Sequence, residues 1–544
     1  MSDQGLFARV ARLVEQRPEG AALLPGRRDG STRSISVAQL AEGCRTTAEA
    51  LSEAGVRRGH LAVTMTRDPY EMVAVVYGLL SVGAVPVLVD PGLPRDELRF
   101  CLRELAPQVF VGEPLAHLAR RVLGWARGHA HTALVTGRRA LPGLGRFGGL
   151  GRLGRPLPVL VPEGGGPAFD VPEPPAGELA MIAFTSGSTG TPKGVEYRYG
   201  TLAGQLDALG AVLAVPPGGV LLSGFLPFAL FGPALGVPTV APAVNHRAPA
   251  RTPAHRLLRP LLEHRPAVVA ASPAVLGLLA DHCARRSLGW PSVRRVVSFG
   301  APLRAGLVEA LRAVLPPEAE VVSAYGATEC LPISAVGARE LAAAPPGGVG
   351  AGTCLGRAVP GVEIQVLEAD EGGVGEIAVS GPNVSPAYHA RPGATAAAKI
   401  VTERGLLHRT GDMGRLDAEG RLWFHGRRAH RVVGAGFVLT TEGVEAACDA
   451  VPGVRRTALV GVGPAGAQRP VLCVELARGR GDRAGRAMAL RRLRGVLDAL
   501  PEGRRIASVL VHPGRFPTDI RHNSKINRVL LAAWAAGRTA RGAR

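Results

Sequence analysis

The sequence predicts an α/β chain built mainly on parallel sheets and followed by a small α+β domain, and three observations predict it. Before residue 430, short apolar runs alternate with amphipathic stretches of helical period, the pattern of strand–helix–strand crossovers. With 544 residues, 46% of them apolar and 20% charged, the chain can bury several cores. Beyond residue 426 a separate set of strand and helix patterns is long enough for a small domain. The division expected is therefore 1–426 and 427–544.

The elements follow in order. "MSDQGLFARVARLVEQRPEG" has helical amphipathicity with charges throughout, unlike a secretory leader. "HLAVTM" (60–65), "AVPVLVD" (84–90), "QVFVG" (108–112), "MIAFTS" (181–186), "AVVAASP" (267–273), "VRRVVSFG" (293–300) and "EVVSAYG" (320–326) read as buried strands. "DPYEMVAVVYGLLSVG" (68–83) and "LRAGLVEALRAVL" (303–315) read as helices between them. Residues 137–179 form a Gly/Pro-rich surface connector. Its Gly143, Gly145 and Gly148 spell GxGxxG, but no helix can open in that setting, so a dinucleotide site is excluded. From Ala208 to His246 there is no Asp, Glu, Lys or Arg, a span long enough to cross a bilayer. Pro216, Pro217, Pro227, Pro233, Pro238 and Pro242 interrupt it, so it reads as buried strands and turns lining an apolar cavity. In the tail, "TALVGV", "PVLCVEL" and "SVLVHP" are strands.

Net charge is +20, yet the positive residues are dispersed, without basic runs or interleaved aromatics. That pattern gives general affinity for anions and argues against a nucleic-acid partner. Of 64 basic residues only Lys193, Lys399 and Lys525 are lysine. In a chain so biased toward arginine, each lysine marks a place where a compact ammonium on a flexible stem could do what a guanidinium cannot. Seven scattered cysteines (44, 101, 283, 330, 354, 448 and 473) include no CxxC pair. Neither a zinc site nor a disulfide framework fits, which points to a reducing, cytoplasmic setting.

"FTSGSTGTPKG", Phe184 to Gly194, directly follows the apolar strand pattern "LAMIAF". It is not a Walker A loop, because Pro192 rather than glycine precedes Lys193. Its glycines still let backbone N–H groups converge, its hydroxyls donate, and Lys193 adds charge, so it reads as a phosphate cradle.

This stretch closely resembles the phosphate loop of the adenylate-forming superfamily, which includes acyl-CoA synthetases, peptide-synthetase adenylation domains and luciferases. Further matches follow in the family's order: "GAVPVLVDP" (83–91), "SFGAPL" (298–303), "SAYGATE" (323–329), "GEIAVSGP" (375–382), "HRTGD" (408–412), "FHGRRAHRVV" (424–433) and "NSKINR" (523–528). The resemblance implies a large N-terminal domain with mostly parallel sheets and a small distorted barrel, and a small mobile C-terminal domain. It implies ATP and Mg²⁺. Thr185, Ser186, Gly187, Ser188, Thr189, Gly190 and Lys193 would hold the β- and γ-phosphates. Tyr325, with Gly326 behind it, would stack on adenine, and Gly300, Ala301 and Pro302 would form the facing wall. Thr328 would bind the α-phosphate and Glu329 the metal. Asp412, with Arg427 nearby, would accept the ribose hydroxyls. Lys525 would bridge the incoming carboxylate and the α-phosphate, offsetting repulsion between two anions.

Several strings, among them "MIAFTSGSTGTPKGVEYR", "FLPFALFGPALGV" and "FPTDIRHNSKINR", resemble one branch, the olefin β-lactone synthetases. The branch implies that a 3-hydroxy fatty acid or related carboxylic acid becomes an acyl-AMP whose own hydroxyl closes a β-lactone. It also implies other enzymes of the same lipid pathway as partners. Phe225, Phe228, Phe231 and Gly232 would line the alkyl site, although the aromatics would serve equally as core packing. Two hinge positions depart from the wider family: Ala429 stands where Asp or Lys is usual, and Val438 where Arg is usual, two after Gly436. Both departures weigh against thioester formation. A fatty-acyl-CoA or fatty-acyl-AMP ligase is the alternative reading, and a catalytically inactive scaffold a more distant one. No base for lactone closure is singled out among His408, His430 and His522.

Overall fold

The computed structural model describes residues 5–89, 93–126, 128–137, 154–166, 169–184, 191–245, 248–343, 352–477, 483–517 and 526–542. The chain forms two compact units. One comprises Met1–Ile333, Val359–Val362 and Ser380–Leu406; the other comprises Ser334–Ala358, Glu363–Val379 and Leu407–Arg544.

The first unit carries the α/β architecture that the strand–helix alternation predicts. Among the described residues one sheet runs in the order Arg155–Pro156, Thr132–Val135, Val109–Gly112, Leu61–Met65, Val85–Leu88, Leu179–Phe184 and Gly194–Arg198, parallel except for the last pair. A second stretch of sheet runs Ile35–Ser36, Ala21–Pro25, Thr239–Ala241, Leu221–Ser223, Val268–Ala271, Arg295–Phe299 and Glu320–Ala327, parallel after its first pair. Such strands are covered on both faces, which is why Val268–Ala271 is apolar and buried at every position. The helix Pro69–Ser81 starts where the sequence places it. Asp68 accepts from the N–H groups of Tyr70 and Glu71, and Pro69 needs no partner at the first turn. Its Val73 and Leu79 join Leu206 and Ile35 in the core.

Two expectations are corrected. The charge-free segment is not only strands and turns: residues 208–213 complete the helix Tyr199–Leu213, and Phe228–Ala234 is a second helix with Pro233 inside it. Every residue from 228 to 234 except Phe231 is buried, so no polar face marks the helical period. Among the described residues no helix is long and apolar enough to cross a membrane. The connector is not confined to the surface either. Arg155–Pro156 adds a parallel strand, and Leu157, Val159 and Phe169 are buried. Its Gly143, Gly145 and Gly148 lie outside the described residues.

In the second unit, Thr353–Ala358 and Leu422–Arg427 pair antiparallel, followed by Gly405–Leu416, Gly375–Ser380 and Glu363–Leu367. The tail pairs Val454–Val462 with Arg469–Leu476, and Ser508–Val511 joins parallel to the latter. The helices Glu442–Asp449, Arg483–Ala499 and Arg528–Gly542 accompany this sheet. Leu459, Leu472 and Leu493 form one tail core, and Val460, Phe516 and Leu531 another. All seven cysteines are free and buried.

Candidate active site

The phosphate-loop motif joins two strands in sequence: Leu179–Phe184 and Gly194–Arg198 run antiparallel, with Phe184 opposite Gly194. Thr185, Ser186, Gly187, Ser188, Thr189 and Gly190 lie outside the described residues. Lys193 lies just before the returning strand, its Nζ 4.7 Å from the centre of the Tyr388 ring.

The adenine-side motifs meet at the carboxyl ends of two neighbouring parallel strands. Phe299 pairs with Ala324, and that register continues Gly300 alongside Tyr325. Open α/β sheets take ligands at such ends. Gly300 turns the chain at φ +95°, a conformation costly for other residues. Ala301, Pro302 and Tyr325 are half-buried there. Gly326 has a packing reason, since a Cβ would lie 2.8 Å from Leu331 Cδ1.

Thr328 and Glu329 follow directly and are held by residues that sequence reading did not single out. The Tyr197 hydroxyl donates to the Thr328 carbonyl, and burial pushes that phenol's pKa up, with the Glu329 charge adding to the effect. The Ser385 N–H donates to the Glu329 carbonyl at 2.8 Å. The Tyr388 hydroxyl donates to Glu329 Oε1 at 2.7 Å. Residues 383–389 are laced on both sides. Asn383 Nδ2 donates to the Pro332 carbonyl at 2.7 Å, the His389 N–H to the Gly194 carbonyl at 2.7 Å, and the Glu196 N–H to the Ala387 carbonyl at 3.0 Å. His389 Nδ1 lies 2.9 Å from Glu196 Oε1, which holds that carboxyl below its usual range.

Lys399 completes this surround. It is buried, its Nζ is 3.3 Å from Ser385 Oγ and 6.0 Å from the centre of the Tyr388 ring. Burial drives its ammonium down to about 8, against the opposing pull of Glu329 and Cys330. The scarcity of lysine was its only signal in the sequence. Tyr388, Ser385 and the His389–Glu196 pair had none.

Phe225, Phe228 and Phe231 come together. Phe225 and Phe228 lie 5.4 Å apart, Phe228 and Phe231 6.2 Å apart. Phe299, the residue before Gly300, meets Phe225 and Phe228 edge-on at 6.2 and 5.1 Å. Gly232 faces Thr239, where a Cβ would approach Oγ1 to 2.2 Å, so packing alone demands glycine.

In the second unit, Asp412 and Arg427 are register partners on adjacent antiparallel strands, with Arg427 Nε 2.9 Å from Asp412 Oδ1. Asp412 is buried, and Thr410 Oγ1 accepts its N–H at 3.1 Å. Gly436 turns the hairpin Val432–Gly434/Phe437–Leu439 at φ +75°, and Val438 is exposed on it. Ala429 lies in a short 3₁₀ turn. His408 is buried, and Lys525 and His522 lie outside the described residues.

Among the described residues no three of His, Cys, Asp and Glu gather as a metal cage. Glu329 therefore offers a single carboxylate. That suits a magnesium ion, which keeps waters and takes the rest of its shell from phosphate oxygens.

The AMP-binding enzyme family matches residues 10–389. The olefin β-lactone synthetase of Stenotrophomonas maltophilia (strain K279a) is 42% identical over 98% of both chains. That of Xanthomonas campestris pv. campestris is 41% identical over 98% of this chain and 97% of its own. The solved structure of an amide bond synthetase from Marinactinospora thermotolerans, 24% identical, covers 97% of this chain and 99% of its own with a TM-score of 0.77, a likeness of fold. With the phosphate-loop motif, the neighbouring strand ends at Gly300 and Tyr325 and the Thr328–Glu329 turn in family order, the chain belongs to the AMP-binding enzymes and is an adenylate-forming ligase.

Proposed function

We propose that this enzyme activates a 3-hydroxy fatty acid as its acyl-adenylate and then closes it to a β-lactone. The observation that carries the reading is the likeness over 98% of the chain to two olefin β-lactone synthetases. The aromatic cluster around Phe299 supports it, because it places an apolar wall next to the Gly300 turn.

In this reading a carboxylate oxygen attacks the α-phosphorus of ATP and the bond to pyrophosphate breaks. Lys193 and the 185–190 loop take the β- and γ-phosphates, Thr328 the α-phosphate, and Tyr325 with Gly300, Ala301 and Pro302 the adenine. Asp412, steadied by Arg427, accepts the ribose hydroxyls. Glu329 would hold a magnesium ion, whose charge offsets that of the phosphates. Lys525, carried by residues 427–544, neutralises the approach of two anions. The 3-hydroxyl oxygen then attacks the acyl carbonyl, AMP leaves, and the hydroxyl proton is lost to solvent or a base. No external thiol is needed, which fits Ala429 and Val438 at the hinge. Phe225, Phe228 and Phe231 would contact the alkyl chain. Seven free cysteines suit a cytoplasmic location.

Purified enzyme with ATP, Mg²⁺ and a 3-hydroxy fatty acid, without CoA, is expected to yield AMP and a product one water lighter than the acid, read by mass spectrometry. A strict requirement for CoA with thioester formation would establish the acyl-CoA ligase reading instead. Lys525→Ala is expected to lower acyl-AMP formation by about 10²–10³-fold while ATP still binds. Undiminished pyrophosphate release from that variant would remove Lys525 from the mechanism.

A further inference from the structure

Tyr388 belongs to none of the sequence motifs, yet it touches two of them. Its hydroxyl donates to Glu329 Oε1 at 2.7 Å, and the Nζ of Lys193 lies 4.7 Å from its ring centre. One buried side chain thus contacts the carboxylate assigned to the metal and the ammonium assigned to the phosphates.

The backbone of Tyr388 is fixed by contacts other than these two side-chain ones. It bridges antiparallel to Val195, and its N–H donates to Thr395 Oγ1 at 3.0 Å. On either side, Ser385 N–H ties to the Glu329 carbonyl and His389 N–H to the Gly194 carbonyl. Lys399 Nζ, 6.0 Å from the same ring centre and 3.3 Å from Ser385 Oγ, backs this arrangement. The ring is therefore a spacer of fixed position.

We infer that Tyr388 is a positioning residue that sets the separation between Lys193 and Glu329, so that magnesium and the β- and γ-phosphates of ATP are received at a fixed distance from each other. The inference rests on the adenylation reading above. It divides the side chain into two tasks. The hydroxyl orients Glu329 for the metal, and the ring face holds Lys193 for the phosphates.

The two tasks separate by substitution. Tyr388→Phe keeps the ring and removes the hydroxyl, whereas Tyr388→Leu removes both. The measurement is calorimetric affinity for α,β-methylene ATP, which cannot be cleaved at the adenylating bond, with Mg²⁺ and with EDTA. A melting curve accompanies each variant. In Tyr388→Phe, affinity with EDTA is expected to match wild type while the gain from Mg²⁺ shrinks by about tenfold, the weight of a hydrogen bond to a charged acceptor. In Tyr388→Leu, affinity with EDTA is expected to fall as well. In turnover, the Phe variant should need more Mg²⁺ for half-maximal rate.

An unchanged Mg²⁺ gain in Tyr388→Phe overturns the inference. So does an equal loss with and without Mg²⁺ in both variants, which would reduce Tyr388 to a structural strap. If Leu is too unstable to measure, Phe alone still decides. A wild-type enzyme that binds the analogue without any Mg²⁺ gain would instead overturn the adenylation reading, and this inference with it.

Discussion

Asp412 meets Arg427 directly across one strand pair, whereas Glu329 takes its hydrogen bond from Tyr388, 59 residues further on. The first contact is a consequence of sheet register: once Gly405–Leu416 and Leu422–Arg427 pair, the two side chains are neighbours. The second depends on a segment whose backbone is tied mainly by isolated bridges at Val384 and Tyr388 and by individual hydrogen bonds. A carboxylate held by register should tolerate change around it. One held by a laced segment should feel each lost tie.

The sharpest way to break that contrast is to neutralise each carboxylate in turn. Glu329→Gln is expected to slow pyrophosphate release by about 10³-fold, near 4 kcal/mol, with little change in melting temperature. Asp412→Asn should act mainly on ATP affinity, raising its KM by about 10–100-fold and leaving kcat closer to wild type, since hydrogen bonds to a charged acceptor are worth about 1.5–3 kcal/mol. Equal effects on kcat and KM from both variants would erase the distinction.

A smaller and slower test uses two histidines, one in each unit. Burial depresses both His117, whose Nε2 lies 2.9 Å from the Leu134 carbonyl oxygen, and His425 to about 4. The unfolded chain takes up these protons near pH 6.5 while the folded chain resists until about 4. Their contribution is fully present above 6.5 and is lost as pH falls between those values, by up to about 3 kcal/mol each. Denaturant midpoints at pH 7, 5.5 and 4 should fall accordingly. His117→Gln should flatten part of that slope, and a slope unchanged in that variant would show that His117 does not contribute to it.

How far the sequence could be read follows the same contrast. Runs such as Val268–Ala271 and Leu61–Met65 announced themselves because strands covered on both faces are apolar at nearly every position. The Asp412–Arg427 pair was legible because each residue lay in a motif and the motifs lay on adjoining strands. The Phe228–Ala234 helix was not, because burial on nearly all sides removes the period that identifies a helix. Nor was Tyr388, whose partners come from a turn nearly 60 and a strand nearly 200 residues earlier. No local pattern encodes a contact of that range. Lys399 stood between these cases: its rarity as a lysine drew attention, but nothing nearby told what it would touch.

Phe299 ends one strand, precedes the left-handed turn at Gly300 and packs edge-on against Phe225 and Phe228. Under the proposed function, the alkyl and adenine sites would therefore share a single partition. If the aromatics do contact an alkyl tail as proposed, trimming or enlarging them to change the accepted chain length would also shift the turn proposed to flank the nucleotide base, so selectivity for the tail and grip on the cosubstrate would be retuned together rather than one at a time.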